Sequence, residues 1–314
     1  MIGRIVEVAS NECYLSVDRG FLSVALRGKS AGSVPLDDIA ALICNAHGLS
    51  YSNNLLVALA TRGVPVILCG RNHSPAGVVW GIDTHHVQSG RLDRQISLAK
   101  GRRNRLWKQI VQSKLRMQAS ALRLCGKPHA PLAALTRKVQ AGDVGNVEGQ
   151  GARTYWALLF GSTFRRDRDQ PGTNALLNYG YAVLRSVIAR RLMGCGLSPG
   201  IGIHHGNASN PMRLVDDLME PFRPVVDVCV WKLIRDGVAD VTPTAKQALG
   251  LLPTRTLRTE VGMSPLTVVA ERLCQSFVGA LDGGTLTLPH ARSDVLESLW
   301  DETDGAAEDF ASNP

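Results

Sequence analysis

Near residue 90 the spacing of the apolar side chains changes from strand-like to helix-like. One chain carrying both patterns can be neither a plain helical bundle nor a plain β-sandwich. Up to residue 68 the apolar residues fall in short runs, 2–9, 13–17, 21–26, 39–44 and 64–68, each of strand length. Asp18-Arg19-Gly20 separates the second run from the third as a hairpin-like turn. Within this part only 53–61 (NNLLVALAT) has helical character, stopped by Gly63-Val64-Pro65. From Leu92 onward the period lengthens, and in 96–124 the residues Ile96, Ala99, Leu106, Ile110, Met117, Ala121 and Leu124 fall three, four or seven apart. Further helices are expected at 131–140, 147–160, 173–193, 211–236, 243–250 and 264–280.

The expected fold class is therefore α+β, a small β-rich N-terminal domain followed by a larger all-helical domain. The pattern predicts boundaries at 1–84 for the β-rich domain, 85–91 for a linker around His85–Ser89 and Gly90, and 92–300 for the helical domain. The segment 301–314 (DETDGAAEDFASNP) is acidic and rich in small residues, and is expected to be disordered. At 314 residues the chain has room for two such units.

Charge divides along the same lines. Residues 1–90 hold six bases and six acids, whereas 91–127 hold eleven bases against the single acid Asp93, so that +10 sits on 37 residues of a chain whose net charge is +8. A block of this kind suits a polyanionic partner, because each Lys or Arg that meets a phosphate releases a condensed counterion. A solvated helix face is the alternative, but the acidic i+4 partners that normally lace one are missing. The seven cysteines, at 13, 44, 69, 125, 195, 229 and 274, are odd in number and form no C-x-x-C pair. They read as reduced thiols in a cytoplasmic protein rather than as a disulfide framework or a zinc finger. No signal-peptide pattern and no uninterrupted apolar run near the roughly 18 residues of a membrane helix is present, so secretion and membrane spanning are not expected.

Three patches in the helical part combine ionisable groups with apolar surroundings: NVEGQGARTYW at 146–156, IHHGN at 203–207 and DDLMEPFR at 216–223. Glu148 opens a helix whose later residues Tyr155 and Trp156 should be buried. Asp217 and Glu220, three apart, share one helical face. Two carboxylates and an imidazole suit a hard ion such as Mg²⁺ or Mn²⁺ better than zinc, and a hard ion suits phosphate chemistry. Each residue also has a plainer explanation. Glu148 could complement a helix dipole, His205 could be a buried or capping histidine with His204 as the ligand instead, and Asp217 or Glu220 could pair with Arg213 or Arg223.

Taken together and in order, these patches, with NALLNYGYAVLRS at 174–186 and the fuller GIHHGNASNPMRLVDDLMEPFRPVVD at 202–227, resemble the CRISPR-associated integrase of spacer acquisition, the Cas-one endonuclease family, and in particular its type II branch. The resemblance covers most of the chain. It implies that Glu148, His205 and Glu220 are ligands of Mg²⁺ or Mn²⁺, that Asp217 assists them, and that all four serve catalysis. It also implies that Asn178 and Tyr181 pack beneath the site. His205 is the implied proton donor to a leaving 3′ oxygen. The implied activity is insertion of short duplex spacers into a CRISPR array by 3′-hydroxyl transesterification, with endonuclease activity in the same site. The implied partners are duplex DNA, a second copy of the chain joined through the β domains, the small ferredoxin-like Cas-two protein, and the type II effector nuclease. Arg102, Arg103, Arg105 and Lys108 are the candidates for holding the DNA backbone, on charge alone. Two rival readings are a catalytically silent DNA-binding scaffold of the same complex and a hydrolase of small phosphoesters, for which the basic block would be superfluous.

Overall fold

The computed structural model describes residues 4–46, 48–70, 75–81, 87–289, 294–296 and 299. The tail expected over 301–314 and residues 85 and 86 of the expected linker lie outside these.

The N-terminal part is β-rich. Strands β1 (Arg4–Val8), β2 (Cys13–Asp18), β3 (Phe21–Leu26), β4 (Lys29–Pro35), β5 (Ile39–Cys44), β6 (Ser50–Tyr51), β7 (Val66–Cys69) and β8 (Pro75–Val79), with helix α1 (Asn53–Thr61), form two four-stranded sheets. One sheet runs β4-β3-β2-β6, antiparallel except for the parallel β2–β6 pair. The other runs β1-β5-β7-β8, parallel until β8 reverses against β7. The β2–β3 turn places Arg19 at φ 45° and Gly20 at φ 85°, the paired left-handed conformations that match strand twist. Arg27 (φ 49°) and Gly28 (φ 79°) repeat the device between β3 and β4.

Strand β5 explains how the two parts of the chain join. Its six residues, IAALIC, are all buried, as an uninterrupted apolar run should be when both faces are covered. Ile39, Leu42 and Cys44 enter a core with Leu15, Leu22, Leu55 and Leu59, while Ala41 and Ile43 enter the larger helical core. Polar contacts clamp the same junction. Glu7 of β1 accepts hydrogen bonds from Asn45 Nδ2 (2.6 Å), Tyr179 Oη (2.8 Å) and Lys246 Nζ (2.8 Å), and Arg190 donates to the Ile39 carbonyl (2.7 Å).

The helical part consists of α2 (Gln88–Ser97), α3 (Lys100–Leu124), α4 (Ala130–Thr136), α5 (Val147–Phe160), α6 (Thr173–Gly194), α7 (Arg213–Met219), α8 (Arg223–Arg235), α9 (Pro243–Gly250) and α10 (Leu266–Leu281). Helix α6 is its axis and packs against α7, α8, α9 and α10, while α3 packs against α4, α5 and α8. Among the described residues no helix is long and apolar enough to cross a membrane.

Three expectations need correction. The linker placed at 85–91 is largely taken up by α2, which starts at Gln88. The single helical span 96–124 is broken by extended backbone at Leu98 and Ala99, with ψ of 117° and 141°. The larger part is not all-helical, because Thr256–Thr259 (β9) and Gly262–Pro265 (β10) pair as an antiparallel hairpin ahead of α10.

Candidate functional site

Helix α5 is placed by a double cap. The Asp143 carboxylate accepts from Val147 N (2.9 Å) and Glu148 N (3.0 Å), and Asn146 Oδ1 accepts from Gly149 N (3.1 Å), so three of the helix's first N–H groups are satisfied by side chains. Helix α5 can lie close to α3 because residue 151 is glycine; a Cβ there would collide with Leu115 Cδ2. Glu148 is thereby brought to Lys114 of α3, whose ammonium donates to Glu148 Oε1.

The same ammonium lies 2.6 Å from Glu220 Oε2. Lys114 and Glu220 are both buried, at 7% and 5% exposure. Arg223 holds the other oxygen of Glu220, donating from Nε to Oε1 at 2.8 Å, and its guanidinium lies 4.7 Å from the Tyr181 ring centroid. Burial opposes ionisation of Glu220, but the Arg223 guanidinium and the Lys114 ammonium outweigh it and hold the carboxyl down at about 2. Burial likewise opposes the charge on Lys114, and Glu220 and Glu148 overcome it, so its pKa is raised.

Asp217 organises the loop that carries the histidines. It is fully buried and accepts from the backbone N–H groups of Ile203 (2.6 Å), His204 (3.2 Å) and His205 (3.2 Å). Its Oδ1 also lies 2.6 Å from His205 Nδ1. The loop can approach this closely because residue 202 is glycine, where a Cβ would stand 2.8 Å from Arg213 Cβ and 3.0 Å from Asp217 Oδ2. The hydrogen bond from Asp217 is the main cause that raises the His205 pKa, ahead of the opposing effect of burial. With Nδ1 committed to Asp217, Nε2 is the ring atom left for another partner. His204 takes a different direction, its ring stacked on Trp107 with centroids 4.3 Å apart and planes 1° from parallel. Trp107 also meets His205 edge-on at 5.8 Å.

The structure thus brings Glu148 and Glu220 to one ammonium and sets His205, held by Asp217, within the electrostatic reach of Glu220. Asp217 is engaged by the loop rather than by an arginine, and Asp216 takes the ion pair instead, with Arg185 at 2.7 and 2.8 Å. Among the described residues no three His, Cys, Asp or Glu side chains stand ready as a metal cage. Lys114, rather than a third carboxylate or an imidazole, stands between the two glutamates. The donor chemistry nevertheless suits a hard divalent ion: two carboxylates gathered about positive charge, an imidazole with one nitrogen to spare, and a buried Glu220 Oε2 turned toward the Lys114 ammonium.

Sequence reasoning missed Lys114 and Trp107. Both lie on the apolar stripe of α3 with Leu106, Ile110, Met117 and Ala121, and a lysine on an apolar stripe was the available signal. The expected backbone-binding residues divide. Arg102 donates to the Ala280 carbonyl (3.1 Å) and to that of Gly284, and Arg103 donates to the carbonyls of Gln95 (2.9 Å), Leu98 (3.1 Å) and Ile96 (3.2 Å). These two guanidinium groups cap the ends of α10 and α2, a structural use that charge counting could not reveal. Arg105 is exposed and Lys108 is half-buried. Asn178 receives Arg166 Nη2 at 2.6 Å.

Beneath the site, Asp227 of α8 accepts from Tyr155 Oη (2.9 Å) and Tyr181 Oη (2.5 Å). Burial pushes its carboxyl up to about 7, with both hydroxyls opposing the rise. An unfolded Asp titrates near ~3.9, so the stability this group contributes is complete below that value and is lost as pH rises through about 7. Asp227→Asn should therefore gain on wild type by a few kcal/mol between about pH 4 and pH 8. Urea unfolding of both proteins across that range checks this, and a stability difference that does not change with pH would refute it.

A β-rich region clamped to a larger helical body, with acidic side chains and an imidazole gathered at a basic helix, defines the class of α+β protein to which this chain belongs. Its fold matches that of a casposase bound to integration product, at TM-score 0.76 and 16% identity over 95% of this chain and 98% of that one. It also matches a chain of a Cas6-RT-Cas1–Cas2 complex, at TM-score 0.71 and 18% identity over 89% of this chain and 35% of the other. The family model for CRISPR associated protein Cas1 matches residues 6–260, and the chain belongs to that family. A CRISPR-associated endonuclease Cas1 from Neisseria meningitidis serogroup C (strain 8013) is 37% identical to it over 239 residues, 75% of this chain and 78% of that protein.

Proposed function

We propose that this chain is a metal-dependent integrase and endonuclease of CRISPR adaptation, of the type II branch of its family, joining the 3′ ends of short duplex DNA to the repeat of a CRISPR array. The observation that carries the reading is the meeting of Glu148 and Glu220, from separate stretches of chain, at one buried ammonium, with His205, held by Asp217, close enough to Glu220 for its charge to act on the imidazole. Glu at 220, together with the motif resemblance, supports the type II assignment. The relative named as an endonuclease and the fold shared with an integration-product complex support the reaction class.

Glu148, His205 and Glu220 would hold Mg²⁺ or Mn²⁺. Such an ion polarises a phosphoryl oxygen and lowers the pKa of the attacking hydroxyl. In the joining step the incoming 3′ oxygen bonds to the phosphorus at the 5′ end of the repeat as the bond from that phosphorus to the 3′ oxygen of the flanking strand breaks. Asp217 fixes the His205 ring through Nδ1, which lets Nε2 pass a proton to that leaving oxygen. Arg223 keeps Glu220 ionised at the attacking pH. Arg105 and Lys108 contribute to a sequence-neutral grip on the duplex. The working assembly is a dimer formed through the β-rich region, bound to a Cas2 partner as in the complex that shares its fold, and joined by the type II effector nuclease.

The experiment combines the purified chain with its Cas2 partner, short duplex DNA, a repeat-bearing plasmid and Mn²⁺. Strand-joined product is expected from wild type and should fall at least ~100-fold in Glu148→Ala, given that losing even an outer partner of a metal ligand costs 10- to 100-fold. Absence of joined product from the wild type would favour the silent scaffold.

A further inference from the structure

We infer that Lys114 is a built-in competitor for the metal site, a tethered cation that holds Glu148 and Glu220 together until a divalent ion displaces it. The inference rests on the metal-binding reading above and extends it to a residue outside the ligand set.

Geometry carries it. The Lys114 ammonium hydrogen-bonds Glu148 Oε1 and lies 2.6 Å from Glu220 Oε2, so it stands between the two carboxylates that would grip the ion. A Mg²⁺ or Mn²⁺ ion sits about 2.0–2.2 Å from its oxygen ligands, and no ammonium can share that space with it. Coulomb repulsion between a dication and an ammonium a few ångströms apart in a buried site adds to the steric conflict. One of the two must leave.

The lysine is the one able to yield. Its backbone is fixed, because Val111 and Leu115 on either side of it are fully buried and α3 packs against α4, α5 and α8. The side chain is not fixed in the same way: four methylenes carry the ammonium, and the Glu148 side chain at one end of its bridge is 31% exposed. The ammonium can swing toward that open edge while keeping a hydrogen bond to Glu148. The charge balance points the same way. Without Lys114, Arg223 would be left as the partner of Glu220, and Glu148 would face it across the gap with its own partner gone. Lys114 therefore stabilises the metal-free protein and weakens its hold on the ion by the same contacts, as linkage requires when two cations exclude each other from one site.

The test measures Mn²⁺ affinity of the full chain by the electron paramagnetic resonance signal of free Mn²⁺, for wild type, Lys114→Met and Lys114→Gln. Thermal melts with and without Mn²⁺ accompany it. Removing the competitor should tighten Mn²⁺ binding at least about tenfold in both variants and enlarge the Mn²⁺-induced rise in Tm. Lys114→Gln keeps much of the stem and two donors, so it reports on competition if Lys114→Met does not fold. Equal or weaker binding in a folded variant would overturn the inference and leave Lys114 a structural brace. Glu220→Gln separates the two layers. If it abolishes Mn²⁺ binding by the wild-type chain, the metal reading stands whatever Lys114 does. If neither wild type nor the Lys114 variants bind Mn²⁺, the metal reading falls and this inference with it.

Discussion

Asp217→Ala should unfold at markedly lower denaturant than wild type, with a loss of about 3–5 kcal/mol, and the protein that remains folded should have lost control of His205. Asp217 is fully buried and serves three backbone N–H groups as well as the His205 ring. Each buried donor left without an acceptor costs about 1–3 kcal/mol, and an alanine at 217 leaves several at once. Asp217→Asn is the sharper variant. An amide has one accepting atom where the carboxylate has two, so it can serve either the Ile203 and His204 N–H groups or the His205 side, but not both. A loss of about 2–3 kcal/mol is expected for it. The His205 tautomer should become mixed, which ¹⁵N chemical shifts of the imidazole would show. A stability change under ~1 kcal/mol in Asp217→Asn, with the tautomer unchanged, would mean that the loop is held by something other than this carboxylate.

How much of this was legible beforehand depended on whether a residue's role is local. Helices α1, α5 and α9 were readable to the residue because their limits are set by neighbours in sequence: Ser52 capping Leu55 N, Asn146 and Asp143 capping α5, Thr242 capping Ala245 N. Strand β5 was readable because burial on both faces leaves an unbroken apolar run. Strand β4 (KSAGSVP) was not, since an edge strand exposed along most of its length has no apolar face to announce it. The β9–β10 hairpin escaped because each strand has four residues, too few for an alternation to stand out from the helical pattern that follows.

The candidate site divides along the same line. Glu148, His205, Asp217 and Glu220 drew attention because ionisable groups stand out in apolar stretches. Lys114 did not, because it is one of eleven bases between 91 and 127, and only its place on the apolar stripe, four residues after Ile110 and three before Met117, set it apart from the others. Arg102 and Arg103 show the converse. They looked like surface charge, yet the carbonyls they cap belong to the ends of other helices, one of them about 180 residues away in sequence. Part of the local +10 is therefore spent inside the fold, and the surface available to DNA is smaller than the count suggested.

Glu220→Gln is the other substitution expected to have a large effect, and pairing it with Lys114→Met separates what Glu220 does for the fold from what it does for chemistry. Glu220 is buried with a cation at each oxygen. Neutralising it leaves Lys114 leaning on Glu148 alone and Arg223 against a neutral amide, and stripping one partner from a buried ionic network costs about 3–5 kcal/mol. The loss should be partly reversed in the double variant Glu220→Gln/Lys114→Met, because the charge left uncompensated has gone too. The cycle should return a coupling of about 1–3 kcal/mol, measured by urea unfolding in chelator so that no metal contributes. Strand joining should behave in the opposite way: lost in Glu220→Gln and still lost in the double variant, since restoring charge balance does not restore a ligand. Recovery of joining together with stability would mean that Glu220 acts only by holding Lys114 in place, and additive stabilities would mean that the 2.6 Å contact between them carries no energy.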